Sequence, residues 1–195
     1  MGIYNAEISA GSLMLPESRR IAKLLLASPT AEQWDQAIEV ENILQKKPAT
    51  ARRQARLMRN RLETLDQDGW QSIVEGDTEV ASQILLVASI RHSQLLSDFL
   101  RDVYMVDLQK LEKTLSHHQW DAFIAECEHR DSAVASWAPS TRDKLFQVVV
   151  RILAEAKYLD STRRLVLTPP MLHPKTRNYL KKLGDRATLS VMEAH

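Results

Sequence analysis

Apolar residues recur along most of this chain at the three-and-four spacing of amphipathic helices. Ala51, Ala55, Met58, Leu62 and Leu65 follow 4-3-4-3 steps, which at ~100° per residue gather into one narrow stripe. That stripe predicts a helix from about Thr50 to Leu65. Leu145, Val149, Ile152, Leu153 and Ala156 form a second stripe, just after a Ser140-to-Asp143 spacing that fits a capping box. Prolines and caps set other boundaries. Pro16 opens a helix that Ser28-Pro29 stops. Thr30 with Gln33 predicts a capped helix over 31–44, broken before Pro48. Residues 66–70 read as a loop, 79–105 as one strongly apolar helix, and 107–115 and 119–128 as two more. After the turn signal Asp160-Ser161, Arg163 to Thr168 reads as a short strand halted by Pro169-Pro170. A last helix, about Pro174 to Leu183, ends at Gly184 with Lys181 and Lys182 in its final turn. The predicted class is all-α: helix-turn-helix and winged-helix-like units with a small β wing near 160–172.

Length and cysteine usage narrow this further. A chain of 195 residues buries a core without a disulfide or metal staple. Cys127 stands alone, so an intrachain disulfide and a Cys-rich zinc site are excluded. One cysteine agrees with a reducing cytosol. No apolar run approaches the ~20 residues that cross a bilayer. The segment Met1–Glu7 lacks the basic and apolar regions of a signal peptide. A cytoplasmic location is the expectation.

Charge changes the picture more. The net charge is only +1, but residues 1–65 carry ten Lys and Arg against seven Asp and Glu. Residues 66–137 carry five against thirteen, and 138–195 eleven against five. Two basic ends flank an acidic middle. Such asymmetry suggests a strongly charged partner, nucleic acid first; three ordinary solvated surfaces are the plainer reading. Charge and boundaries together divide the chain into an N-terminal helix-turn-helix-like unit (1–75), an acidic helical middle (76–137) and a C-terminal winged-helix-like unit (138–195).

From Lys46 to Arg61 there are seven positive residues and no acidic one. Arg52, Arg53, Arg56 and Arg59 project to one face opposite the apolar stripe, and Asn60 joins them, while Arg61 projects elsewhere. Like charges at these spacings repel in an isolated helix. A polyanion rewards them by releasing its condensed counterions. Arginine also suits bidentate contact with phosphate or guanine. A helix, a break and then a basic helix is the order of a helix-turn-helix, which puts Thr50 and the first turn nearest the bases. A solvated basic face, paired with the acidic middle, is the alternative.

The second stripe has its own polar face. Lys144, Gln147 and Arg151 recur at 3-4 spacing, with Thr141 in the first turn. A recognition helix, a turn and then a strand opening with Arg163-Arg164 is the order of a winged helix, with those arginines against the phosphate backbone or minor groove. A small helical domain with one stray edge strand is the alternative.

Catalytic and metal signals are weak. His118 and Asp121 share a helix face at i,i+3, but a metal needs more ligands. Cys127 reads as a small packed hydrophobe. Trp34, Trp70, Trp120 and Trp137 read as packing residues. There is no Gly-rich phosphate loop, nucleophile elbow or HExxH motif. No cofactor, metal or enzymatic activity is expected.

Several stretches, in order, resemble the BrxA proteins of BREX bacteriophage-defence systems. They are Tyr4-Asn5-Ala6-Glu7-Ile8-Ser9-Ala10-Gly11, Glu41 to Lys46 with Thr50-Ala51-Arg52-Arg53, Ser140 to Leu145, and Arg151 to Leu159. The resemblance spans nearly the whole chain. It also leads one to expect a small residue such as Gly near position 157, where this chain has Lys157. The resemblance implies a helical, non-enzymatic component that binds duplex DNA through helix-turn-helix or winged-helix units. The catalytic activities would belong to other BREX components, which are possible partners. It further implies likeness to the RNA-binding antitermination protein NusB. RNA binding and a protein-interaction scaffold are therefore the alternative functions.

Overall fold

Thr30 caps its helix as its spacing to Gln33 predicts. Its Oγ1 accepts from Gln33 N at 3.2 Å, and Gln33 Oε1 accepts from Thr30 N at 2.9 Å. The computed structural model describes residues 2–193. It forms two units, one of Leu13–His92 and one of Met1–Ser12 with Ser93–His195. The sequence division at 75 and 137 follows charge and expected element boundaries, criteria separate from this packing.

The unit 13–92 holds five helices: α1 (Leu15–Leu26), α2 (Ala31–Asp35), α3 (Pro48–Leu62), α4 (Gln67–Glu75) and α5 (Thr78–His92). The helix expected over 31–44 is shorter. α2 continues only as a π-turn, Gln36–Val40, and Asn42 and Gln45 then take positive φ. Residues 41–47 thus separate it from α3, a longer link than the 3–4-residue turn of a helix-turn-helix. The loop expected at 66–70 is the start of α4, because Asp66 Oδ1 accepts from Gly69 N at 3.0 Å and caps it. α5 is buried along Val80–Ile90, as an all-round apolar helix must be. Arg19 of α1 reaches across to α4, donating to the carbonyls of Ile73 (3.0 Å) and Gly76 (2.6 Å).

The other unit holds α6 (Gln94–Phe99), α7 (Met105–Gln109), α8 (His117–Arg130), α9 (Pro139–Glu155), α10 (Pro174–Lys182) and α11 (Arg186–Met192). The single helix expected over 79–105 is therefore broken. Ser93 takes an extended conformation, and its Oγ accepts from Leu96 N at 3.3 Å, so one serine ends α5 and caps α6. A π-turn, Leu100–Tyr104, joins α6 to α7. The helix expected over 107–115 stops at α7, where Leu111 takes φ 58°. The expected cap at Ser140 is also absent. Pro139 already begins α9, Ala138 precedes it, and no side chain caps the helix.

Trp120 anchors this core, edge-on to Phe99 at 5.4 Å and against Phe146 at 5.5 Å. The segment 2–12 belongs here. Ile8, fully buried, sits in a 3-10 turn that packs on α9. Tyr4 donates its hydroxyl to buried Asp98 at 2.6 Å.

The expected wing is not formed. Residues 162–164 make a turn, and only isolated antiparallel bridges join Thr114 to Val166 and Leu159 to Leu167. Asp160 Oδ1 accepts from Val166 N at 2.9 Å, which closes the loop on itself. Among the described residues there is no strand, and none of the helices is long and apolar enough to cross a membrane.

Two helix ends share one design. After α10, Asp185 N bonds to Leu180 O and Gly184 N to Lys181 O, with Gly184 at φ 65°. After α9, Tyr158 N bonds to Leu153 O and Lys157 N to Ala154 O, with Lys157 at φ 66°. Both are Schellman caps, which place a left-handed residue just past the helix and favour glycine there. The small residue expected near 157 thus matches a real backbone demand, which Lys157 meets with its Cβ in a crowded position.

Candidate nucleic-acid interface

α3 takes its shape from its composition. Pro48 suits a first turn, and Ala, Arg, Gln, Leu and Met favour the helix beyond it. Ala51, Ala55, Met58, Leu62 and Leu65 are all buried. That burial fixes the rotation of α3 about its axis. Arg52, Arg53, Arg56 and Arg59 are consequently exposed, with Thr50 and Asn60 half-buried among them. Arg61 is 3% exposed, and its position off the basic face is as the projection gave it.

The electrostatics of this face are uneven. Arg52 lies 3.6 Å from Glu39 of the preceding π-turn. Arg59 pairs with Glu63 at 2.7 Å, and its guanidinium carbon stands 4.7 Å from the centre of a Trp34 ring. Exposed pairs of this kind contribute about 0–1 kcal/mol, so they orient the guanidinium groups more than they stabilise the fold. Arg53 and Arg56 form no ion pair among the described residues. Lys46 is drawn away to Glu17 at 3.0 Å. The sequence reading missed these carboxylates. Glu63 was visible at i,i+4 from Arg59; Glu39 was not, because a chain reversal brings it to Arg52.

On α9 the stripe Leu145, Val149, Ile152, Leu153 and Ala156 is buried. Lys144, Gln147 and Arg151 are exposed, and their side chains form no hydrogen bond or ion pair among the described residues. Thr141 is half-buried in the first turn. Its neighbour Arg142 is tied inward, to Glu128 at 2.5 Å and to the Trp137 carbonyl at 3.2 Å. Arg163 and Arg164 lie on the 162–164 turn instead of a wing strand, and Arg164 is held by Asp160 at 2.5 Å. The same unit carries further cations, of which Lys181 and Lys182 were expected only to complement the helix dipole. On α10, Lys175, Lys181 and Lys182 are exposed.

Of the groups considered for chemistry, His118 and Asp121 are exposed on α8, whereas Cys127 and Trp120 are packed in the core. Cys127 is fully buried, and burial pushes its thiol up to about 11, away from thiolate reactivity. His117, exposed, lies with its ring tilted against Phe146 at 4.2 Å. Trp70 donates its indole N–H to the Leu62 carbonyl at 2.7 Å. Among the described residues no group of three or more His, Cys, Asp and Glu is placed to hold a metal ion.

Comparison with known proteins gives a consistent picture. The BrxA family profile matches residues 2–184. A BREX protein BrxA from Paramagnetospirillum magneticum is 40% identical over 97% of this chain and 96% of its own. One from Escherichia coli is 36% identical, over 96% of this chain and 88% of its own. A crystal structure of an uncharacterized protein from Magnetospirillum magneticum superposes with a TM-score of 0.91 at 39% identity. It covers 97% of this chain and 98% of that one.

Proposed function

The chain belongs to the BrxA family, and from that premise we propose that it acts in a BREX defence system as a non-enzymatic subunit that binds duplex DNA. One observation carries the reading. α3 turns four arginines to solvent opposite a buried stripe, and two of them, Arg53 and Arg56, have no carboxylate to hold them among the described residues. Such a face is costly to itself and favourable against a polyanion. Arg52, Arg53, Arg56 and Arg59 contact phosphates or base edges, with Thr50 and Asn60 beside them. Lys144, Gln147 and Arg151, with Thr141, Arg163 and Arg164, form a second contact patch. Binding is mainly electrostatic and weakly sequence-specific. Neutralising about four phosphates gives a log–log salt slope of roughly −3 to −4.

Fluorescence anisotropy with duplex DNA, single-stranded DNA and RNA of one length, each at several salt concentrations, tests this. Duplex preference with that slope supports the reading. A preference for RNA moves the assignment to RNA binding. Absence of binding to all three at low salt overturns it in favour of a scaffold whose basic faces meet acidic proteins. The Arg52–Glu39 and Arg59–Glu63 pairs favour that second reading, since they are carboxylate contacts already made by this face.

A further inference from the structure

In the unit containing α6 to α11, a cavity of about 270 Å³ opens between the stretch 102–110 and α8. Val103, Val106 and Phe123 give it an apolar lining. Two of its lining residues, Asp102 and Val103, stand in the π-turn Leu100–Tyr104, a wide turn of a kind frequent at functional sites.

The charges around the cavity fall into two groups. Asp102 is fully served: Arg101 Nε lies 2.7 Å from it and Arg130 2.8 Å. These contacts, the Arg101 hydrogen bond first, hold its carboxyl below the usual range. Asp107 is not served in this way. It is 6% exposed and forms no ion pair among the described residues. Its one side-chain partner among them is the Gln119 amide, which donates to Oδ2 at 2.5 Å. Gln119 is itself fixed, because its Oε1 accepts from Ser116 N at 2.7 Å in the cap of α8. Burial, with Glu112 adding to it and Lys110 only partly opposing it, pushes the Asp107 carboxyl above the usual range. Glu126, two turns beyond Gln119 on α8, lines the same cavity and also forms no ion pair among the described residues.

A buried carboxylate served by one neutral amide lacks the compensation that such groups ordinarily have. We infer that this cavity receives one basic side chain, arginine or lysine, presented by a protein partner. Its aliphatic stem lies on Val103, Val106 and Phe123, and its cation reaches Asp107 and Glu126. The volume of about 270 Å³ lies at the lower edge of the ~300–1,000 Å³ of small-molecule pockets and is ample for a single side chain. The carboxyl groups repel phosphate, and Arg130 is already committed to Asp102, so a nucleotide does not fit this chemistry. Lys110, exposed and lining the same cavity, adds a positive charge near Asp107 that opposes a cationic occupant. A partner of macromolecular size is favoured by Leu111. This neighbour of Lys110 holds an apolar side chain 86% exposed at φ 58°, a ready second contact beside the opening.

The test is an NMR titration of the full chain with a short glycine-flanked arginine peptide, its citrulline counterpart and N-acetylarginine methylamide. Shifts should appear at the Gln119 side-chain amide and the Ala122 methyl group. The citrulline peptide should bind at least about tenfold more weakly, as loss of a charged partner predicts. Asp107→Asn and the exposed Glu126→Gln should each weaken the arginine peptide, and Lys110→Gln should tighten it. No shift at Gln119 and Ala122, equal binding of the citrulline peptide, or unchanged binding by both acidic-site variants overturns the proposal. Binding of the free methylamide without the peptide overturns the protein source. Duplex-DNA titrations of the same variants should match wild type, so this site and the basic faces stand or fall separately.

Discussion

α3 and α9 are built alike and equipped differently. Each begins with a proline and no side-chain cap, buries one apolar stripe, and turns a basic face outward. On α3 the chain supplies its own carboxylates, Glu39 and Glu63, and an indole ring to steer two of the arginines. On α9, Lys144 and Arg151 meet no such partner among the described residues. The lesson is that a basic stripe in sequence does not have one electrostatic meaning. Side chains already paired give up a contact to reach phosphate, but they start oriented. Unpaired ones lose nothing electrostatic and start disordered in rotamer, which costs entropy on binding.

Charge reversal on α3 should have the largest effect. Arg52→Glu with Arg56→Glu should remove most duplex-DNA binding in anisotropy and flatten the salt slope by about two, one per lost phosphate contact. Its melting curve should stay nearly unchanged, since both positions are exposed. Normal binding by this variant would remove α3 from the interface. Lys144→Glu with Arg151→Glu comes next and should flatten the slope by up to about two. An unchanged slope would confine contact to α3 and end the symmetry between the helices. A smaller effect, in the opposite direction, is expected of Glu39→Gln with Glu63→Gln. Releasing Arg52 and Arg59 should tighten binding by about two- to fivefold, the scale of exposed pairs worth under ~1 kcal/mol. Weaker binding instead would mean that orientation matters more than release. Lys157→Gly at the end of α9 should leave DNA binding alone and raise stability by about 0.5–1 kcal/mol, read as a higher thermal midpoint. A lower midpoint would show that the lysine stem contributes packing that outweighs the backbone strain.

Local signals were legible where a few neighbouring residues decide the outcome. The Thr30–Gln33 cap, the stripe of α3 and the glycine end of α10 all follow from spacing alone. The solvent-facing arginines of α3 were legible for the same reason, because a buried stripe dictates the opposite face. What escaped depended on partners distant in sequence or on one residue used twice. Ser93 looks like a minor polar residue in an apolar run, yet its hydroxyl ends one helix and starts another. Leu165-Val166-Leu167 has a strand's composition, but among the described residues it meets short pieces near 114 and 159 through isolated bridges, and a ladder does not form. Asp107 and Glu126 lie far apart in the chain and carry no motif. Only folding brings them to one cavity.

The unit 13–92 is one continuous stretch, whereas its companion is assembled from both sides of it. Tyr4 and Ile8 find their partners, Asp98 and α9, only in residues made after that stretch is complete. During synthesis this segment therefore emerges ahead of the unit 13–92 but is placed after it. The inner unit has all its residues in hand while the segment 2–12 still lacks a surface, an order in keeping with units folding as they appear. A ribosome that stops within α8 would release a chain in which all the residues of the arginine face are made while Ile8 still lacks its cover on α9.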